Sequence, residues 1–127
     1  VLVRQFRPAI EDFTLEFPGG TVSKGESSVD AAIRELQEET GYRVQEVQEL
    51  PSMSPDVGRL TNRFHCFIAM NVLAPVDDWR PEEGVEVVVV PLPKLLVLVK
   101  EGEIQNSGHV ALLGQAILKG YIDVRSN

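Results

Sequence analysis

The 127 residues fit one domain, and the expectation is a single domain over 1–127; 43% hydrophobic residues suffice for a packed core at this size. A formal net charge of -7 repels phosphate backbones and argues against a general nucleic-acid binder; a small anionic ligand remains feasible if a bound cation offsets the repulsion. The one cysteine, Cys66, excludes an internal disulfide and suits a reducing, cytoplasmic setting, no basic-then-apolar leader opens the chain, and no apolar run, Val87–Val90 included, is long enough to span a bilayer.

In chain order, Val1 to Phe6 reads as a strand running into Arg7-Pro8. It opens without a methionine, so a further N-terminal segment is expected before it. Phe13 to Phe17 alternates apolar and polar residues, as a half-buried strand does, until Pro18-Gly19-Gly20 breaks it. A loop from Thr21 to Ser28 carries Gly25 and Glu26. The clearest helix follows: Ser27 and Asp30 have the spacing of a capping box, Val29, Ile33, Leu36 and Thr40 fall on one stripe with Ala32 beside it, and Gly41 sits where a helix-ending glycine belongs.

Val44 to Leu50 reads as a strand, Pro51 to Asn62 as a polar loop, and Phe64 to Leu73 as a long apolar strand. Loops of about a dozen residues usually carry function or move. An acidic loop from Asp77 to Gly84 precedes a β-branched, core-forming run, Val85 to Val90. Pro93 suits the first turn of a short helix to Glu101, and Ser107 suits the cap of a last helix with Val110, Leu113 and Ile117 inward. Helices separated by runs of strand predict an α/β (α+β) fold, with a mixed sheet sandwiched between helices.

The residues that carry chemistry lie between Gly20 and Tyr42. Glu35, Glu38 and Glu39 fall at i, i+3 and i+4, so the three carboxylates share an arc of roughly 100° on one helical face. Their mutual repulsion costs a few tenths of a kcal/mol per pair, more if partly buried. A bound Mg²⁺ or Mn²⁺ would neutralise such an oxygen-rich cluster; taken alone, it also fits an ordinary solvated acidic face.

The surrounding pattern is Gly20, five residues, Glu26, seven residues, then Arg34-Glu35-Leu36-Gln37-Glu38-Glu39-Thr40-Gly41-Tyr42. It resembles the Nudix box of the Nudix hydrolase family. All seven strictly specified positions match: Gly20, Glu26, Arg34, Glu35, Glu38, Glu39 and Gly41. At roughly one residue in fifteen per position, a chance match at one register is on the order of 10⁻⁸. Leu36 fills one bulky-aliphatic slot, and Tyr42 departs mildly from the other. The resemblance implies the Nudix fold and a hydrolase. Glu35, Glu38 and Glu39 would be metal ligands, with Glu38 also counted as catalytic. The Gly19 carbonyl would join them, and Glu26 would hold the loop or a further metal water. Arg34 would orient a glutamate, while Gly20 and Gly41 would shape the motif.

Outside the box, Arg4-Gln5-Phe6-Arg7-Pro8 and Leu15-Glu16-Phe17-Pro18-Gly19-Gly20 resemble the branch that hydrolyses ADP-ribose and other nucleoside diphosphate sugars. That likeness implies substrate or dimer contacts for Arg4 and Arg7. It implies a substrate loop at Ser54–Arg59, with Arg59 and Arg63 as phosphate or sugar contacts. It also implies a general base in the acidic loop: Glu83 first, Glu82 next, with Glu86 just beyond. Pro55 follows Gly41 by 14 residues, close to the spacing of that branch's proline but short of it. A small nucleotide-sugar substrate and a homodimer are implied partners, with neither nucleic acid nor membrane. Hydrolysis of nucleoside triphosphates or dinucleoside polyphosphates, and a non-catalytic nucleotide-binding domain, are the alternatives. His65 and His109 read as structural, Cys66 as buried, and Trp79 as an ordinary structural residue, with base stacking or a dimer contact as the lesser alternative.

Overall fold

A computed structural model describes residues 1–125; residues 126 and 127, the end of the expected domain, lie outside the described residues. The elements are β1 (Leu2–Arg7), β2 (Asp12–Glu16), α1 (Ser28–Thr40), β3 (Val47–Met53), β4 (Phe64–Ala69), β5 (Val85–Val88), α2 (Leu92–Lys100) and α3 (Ser107–Leu118). Strands and helices mix as expected. The described ladders are all antiparallel and number two: β2-β1-β5 and β3-β4. The connection from β1 to β2 is too short for a parallel crossover, which needs a dozen or more residues. Instead the chain reverses over Pro8–Glu11, where Ile10 N–H donates to the Arg7 carbonyl.

Pairing register sorts the first sheet into two faces. Leu2, Arg4 and Phe6 lie opposite Leu15 and Phe13 of β2 and Val88 and Glu86 of β5; Val3, Gln5 and Arg7 lie opposite Glu16, Thr14 and Asp12. The first face buries Leu2 with Leu15 and Val88 against Leu95 of α2, Ile104 and Leu113 of α3. On the second sheet, Leu50 and Cys66 pack against Ala116 and Leu112 of the same α3. The last helix thus ties both ladders together, and full burial of side chains such as Leu2 and Leu50 stabilises by about 2 kcal/mol each.

The clearest predicted helix ends where its caps require. The Ser27 hydroxyl accepts from the Asp30 N–H at 3.1 Å, and Gly41, at φ +71°, donates its N–H to the Gln37 carbonyl at 2.8 Å. A Cβ on Gly41 would also collide with the Trp79 ring. Ala31 and Thr40, not Val29, are the fully buried positions of α1; Val29 stays exposed.

Other boundaries shift. The third strand starts later and extends to Met53, with a register irregularity after Leu50. The fourth ends at Ala69, leaving Leu73 to bridge Arg43. Asn106, not Ser107, caps α3 by accepting from the Gly108 N–H, and Val110 stays exposed rather than inward. The valine run expected in the core is corrected most: β5 stops at Val88, Val89 is 62% exposed, and Val87, Val88 and Val90 are only half-buried. β5 is the edge of its ladder, and Val89 lies just past its end. Among the described residues no helix is long and apolar enough to cross a membrane.

Candidate active site

Helical spacing places Glu35, Glu38 and Glu39 on one side of α1, and the loop from Pro18 to Glu26 wraps against that side. Gly19 N–H donates to Glu39 Oε2 at 2.9 Å. Gly20 lies so close to Glu35 that a Cβ there would collide with the carboxylate, so a larger residue would push that carboxylate or the loop aside. Farther along, Arg34 donates to the Thr21 carbonyl at 3.2 Å, and Ser23 N–H donates to Glu26 Oε2 at 3.0 Å.

Arg34 is the hub of this arrangement. Its Nε and Nη2 reach both Glu26 oxygens at 2.8 and 3.1 Å, and its Nη1 reaches Glu35 Oε1 and Glu38 Oε2, each at 2.9 Å. The fork of the guanidinium suits such bidentate bonding. Hydrogen bonds from Arg34, then from the Ser23 backbone, pull the Glu26 carboxyl down to about 2. Glu39 moves the other way. Burial pushes its carboxyl up, aided by the charges of Glu35 and Glu16, against the Gly19 N–H and Arg7.

One guanidinium thus serves Glu26, Glu35 and Glu38, while Glu39 turns to the loop. The carboxylates share a face but do not meet at a point: among the described residues, no three His, Cys, Asp or Glu side chains form a finished metal cage. Arg34 Nη1 holds Glu35 and Glu38 together, while Glu39 stands apart on the Gly19 amide. Gly19 is joined to this face by its N–H.

The other singled-out residues are placed as follows. Arg7 is exposed at its side chain while its Nε and Nη2 clamp the two oxygens of buried Glu16 at 2.8 and 2.6 Å. Thr14 donates to the same carboxylate at 2.6 Å. This pair lies on the sheet face turned toward Glu39, whose pKa both partners affect. Arg4 lies on the opposite face, 4.2 Å above the Phe13 ring and 3.6 Å from Glu86. Phe6 and Phe13 meet edge to face beside it, both exposed.

Arg59 extends into solvent, 3.8 Å from Asp56, within a turn at 56–60. Arg63 donates to the Ser52 hydroxyl and carbonyl. Glu82 and Glu83 are exposed in the turn closed by Val85 N–H onto the Glu82 carbonyl at 3.1 Å. Trp79 covers Gly41 and borders an open groove of about 540 Å³ with Asp30, Ile33, Arg34, Gln37 and Glu38. Cys66 is buried, and burial pushes its thiol up, away from nucleophilic use.

Sequence reasoning missed Glu16 and the partner of His109, which it read as structural. Glu16 occupies an inward position of β2, where a charged residue without a partner is costly; polar Thr14 two residues earlier marks the same face. His109 Nδ1 accepts the Phe17 N–H at 3.1 Å across 92 positions, which no local pattern reveals.

With this geometry in place, comparison with known proteins identifies the class. The family model described as "NUDIX domain" matches residues 1–113, so the chain belongs to the Nudix family. Among its relatives, "ADP-ribose pyrophosphatase" of Bacillus subtilis is 33% identical over 109 residues, covering 84% of this chain and 59% of that protein. "ADP-sugar pyrophosphatase" of Mus musculus is 33% identical over 119 residues, covering 88% of this chain and 53% of that one. The chain therefore spans somewhat over half the length of these relatives. A solved structure described as "Crystal structure of ADP compounds hydrolase" shares the fold, with a TM-score of 0.76 at 22% identity over 95% of this chain and 68% of that one.

Proposed function

We propose that residues 1–127 form one domain of a divalent-metal-dependent hydrolase. It cleaves the diphosphate linkage of ADP-ribose or a related nucleoside diphosphate sugar with water, giving a nucleoside monophosphate and a sugar phosphate. The observation that carries this reading is the loop–helix unit in which Gly19 and Gly20 close on Glu39 and Glu35 while Arg34 gathers Glu26, Glu35 and Glu38. The relatives' names, an ADP-ribose pyrophosphatase and an ADP-sugar pyrophosphatase, support the substrate class.

The donor set fits a hard cation. Glu35, Glu38, Glu39 and the Gly19 carbonyl are all oxygen donors suited to Mg²⁺ or Mn²⁺. One guanidinium leaves the cluster's negative charge largely uncompensated, and burial already disfavours ionised Glu39. When bound, the ion offsets the diphosphate charge, polarises a P–O bond and acidifies an attacking water. Glu26 holds the loop through Arg34 and Ser23. Glu83, or Glu82 beside it, takes the proton from that water. Arg7, Arg59 and Arg63 bind phosphate or sugar, Arg7 also orders Glu16 next to Glu39, and Arg4, on the opposite sheet face, serves the substrate or the dimer partner. The exposed Phe6, Ile10 and Phe13 supply an apolar patch for a homodimer, and reduced Cys66 suits the cytoplasm.

Incubation of the purified chain with Mg²⁺ and ADP-ribose should yield AMP and ribose phosphate. A panel with other nucleotide sugars, nucleoside triphosphates and dinucleoside polyphosphates identifies the substrate class by product. No turnover of any of these would overturn the reading, and turnover of triphosphates alone would move it to another specificity.

A further inference from the structure

The last ladder pair between β1 and β2 is Val3 with Glu16, so the next N–H, that of Phe17, leaves the sheet. It finds its acceptor on another element: Nδ1 of His109 in α3, at 3.1 Å. Pro18 follows and has no N–H, so the Phe17 amide is the last backbone donor before Gly19, whose own N–H goes to Glu39. Gly20 then meets the Glu35 carboxylate with no space for a Cβ. Thus the fixed point nearest the carboxylate face, on the sheet side of this loop, is an imidazole supplied by the C-terminal helix.

The ring itself is well held. It packs against the Phe17 ring with centroids 5.7 Å apart, and Glu16 and Arg7, which clamp each other, are its charged neighbours. Burial lowers its pKa, with Glu16 acting the other way and Arg7 the same way, so the neutral ring keeps a lone pair on Nδ1.

We propose that His109 is a positioning residue for the candidate metal face: its Nδ1 fixes the Phe17 amide and, through the stiff Pro18 step, sets where Gly19 and Gly20 meet Glu39 and Glu35. The inference rests on the metal-binding reading of that face. His109 touches neither substrate nor ion. Partners beyond the direct ligands typically change metal affinity by about 10- to 100-fold, so the effect is measurable.

The test separates the acceptor from the ring. His109→Phe keeps an aromatic ring and removes the acceptor; His109→Asn restores an acceptor near the Nδ1 position and removes the ring. Mn²⁺ is titrated into each purified protein, free Mn²⁺ is followed by its electron paramagnetic resonance signal, and thermal melting is measured in chelator. His109→Phe should weaken Mn²⁺ binding about 10-fold with little change in melting temperature, and His109→Asn should return it to within about threefold of wild type. If His109→Phe fails to melt cooperatively, His109→Leu, which also lacks an acceptor, takes its place. Unchanged Mn²⁺ affinity in the acceptor-less variant, or equal weakening in His109→Asn, overturns the inference. Glu39→Gln is the control. Should it bind Mn²⁺ as wild type does, the metal reading itself fails; should it lose binding while His109→Phe keeps it, only the role of His109 falls.

Discussion

Gly19 and Glu39, 20 positions apart, are joined by a 2.9 Å hydrogen bond from backbone N–H to carboxylate, which docks the glycine loop on the acidic face of α1. Gly20, beside it, touches Glu35 with no space for a methyl group. Gly20→Ala should therefore displace either the loop or the Glu35 carboxylate. Turnover is expected to fall by about 100-fold or more, since a misplacement of about 1 Å costs that much, while the fold survives. Steady-state rates and melting curves on one preparation check both halves.

Glu38→Gln and Glu39→Gln each remove a charge and keep the shape. Turnover should drop by at least about 100-fold in each, while melting temperature in chelator changes little. The upward shift in melting temperature that Mg²⁺ gives the wild type should shrink or vanish. Variants that retain wild-type rates would show that these carboxylates hold no catalytic ion.

In the acidic loop, Glu83→Gln should lower kcat and flatten the acid limb of its pH profile with KM nearly unchanged, by about 100-fold if Glu83 alone takes the proton. Glu82→Gln should then behave close to wild type. The reverse pattern would move the base one residue back, and no loss in either variant would remove the base from this loop.

Much of this arrangement was legible in the sequence, and the boundary has physical causes. The cap residues Ser27 and Gly41, the i, i+3, i+4 carboxylates and the strand-ending Pro18 are local features, and each sits where local rules put it. Features that depend on what packs against them were not legible. The valine run read as core because composition does not reveal that β5 is a ladder edge ending at Val88, before exposed Val89. The Arg7–Glu16 pair was not legible because the two become neighbours only after the β1–β2 hairpin closes. Arg34 was expected to orient one glutamate; that it reaches three follows from the loop bringing Glu26 back over the helix.

The Arg7–Glu16 pair sets an acid limit on stability. The Arg7 hydrogen bond, more than that from Thr14, holds the Glu16 carboxyl below its ordinary 4.5 despite burial. A group whose folded pKa is depressed contributes stability above its unfolded pKa and loses it as pH falls through the folded value. Chemical denaturation should therefore show stability declining below about pH 4.5. Glu16→Gln should lose about 2 kcal/mol at pH 7, the order expected for hydrogen bonds to a charged group. It should also show a shallower decline on acidification; an unchanged slope would assign the acid limit to other carboxylates.

The central claim is that Glu35, Glu38 and Glu39 close around a divalent ion when one is offered. The most direct measurement is a crystal structure of the protein grown with Mn²⁺, with the ion located by its anomalous scattering. One or more peaks are expected within about 2.3 Å of carboxylate oxygens of these three residues, with Glu35 and Glu38 turned away from Arg34. Ordered side chains still bonded to Arg34 and Gly19, with no peak among them or a peak elsewhere, would contradict it.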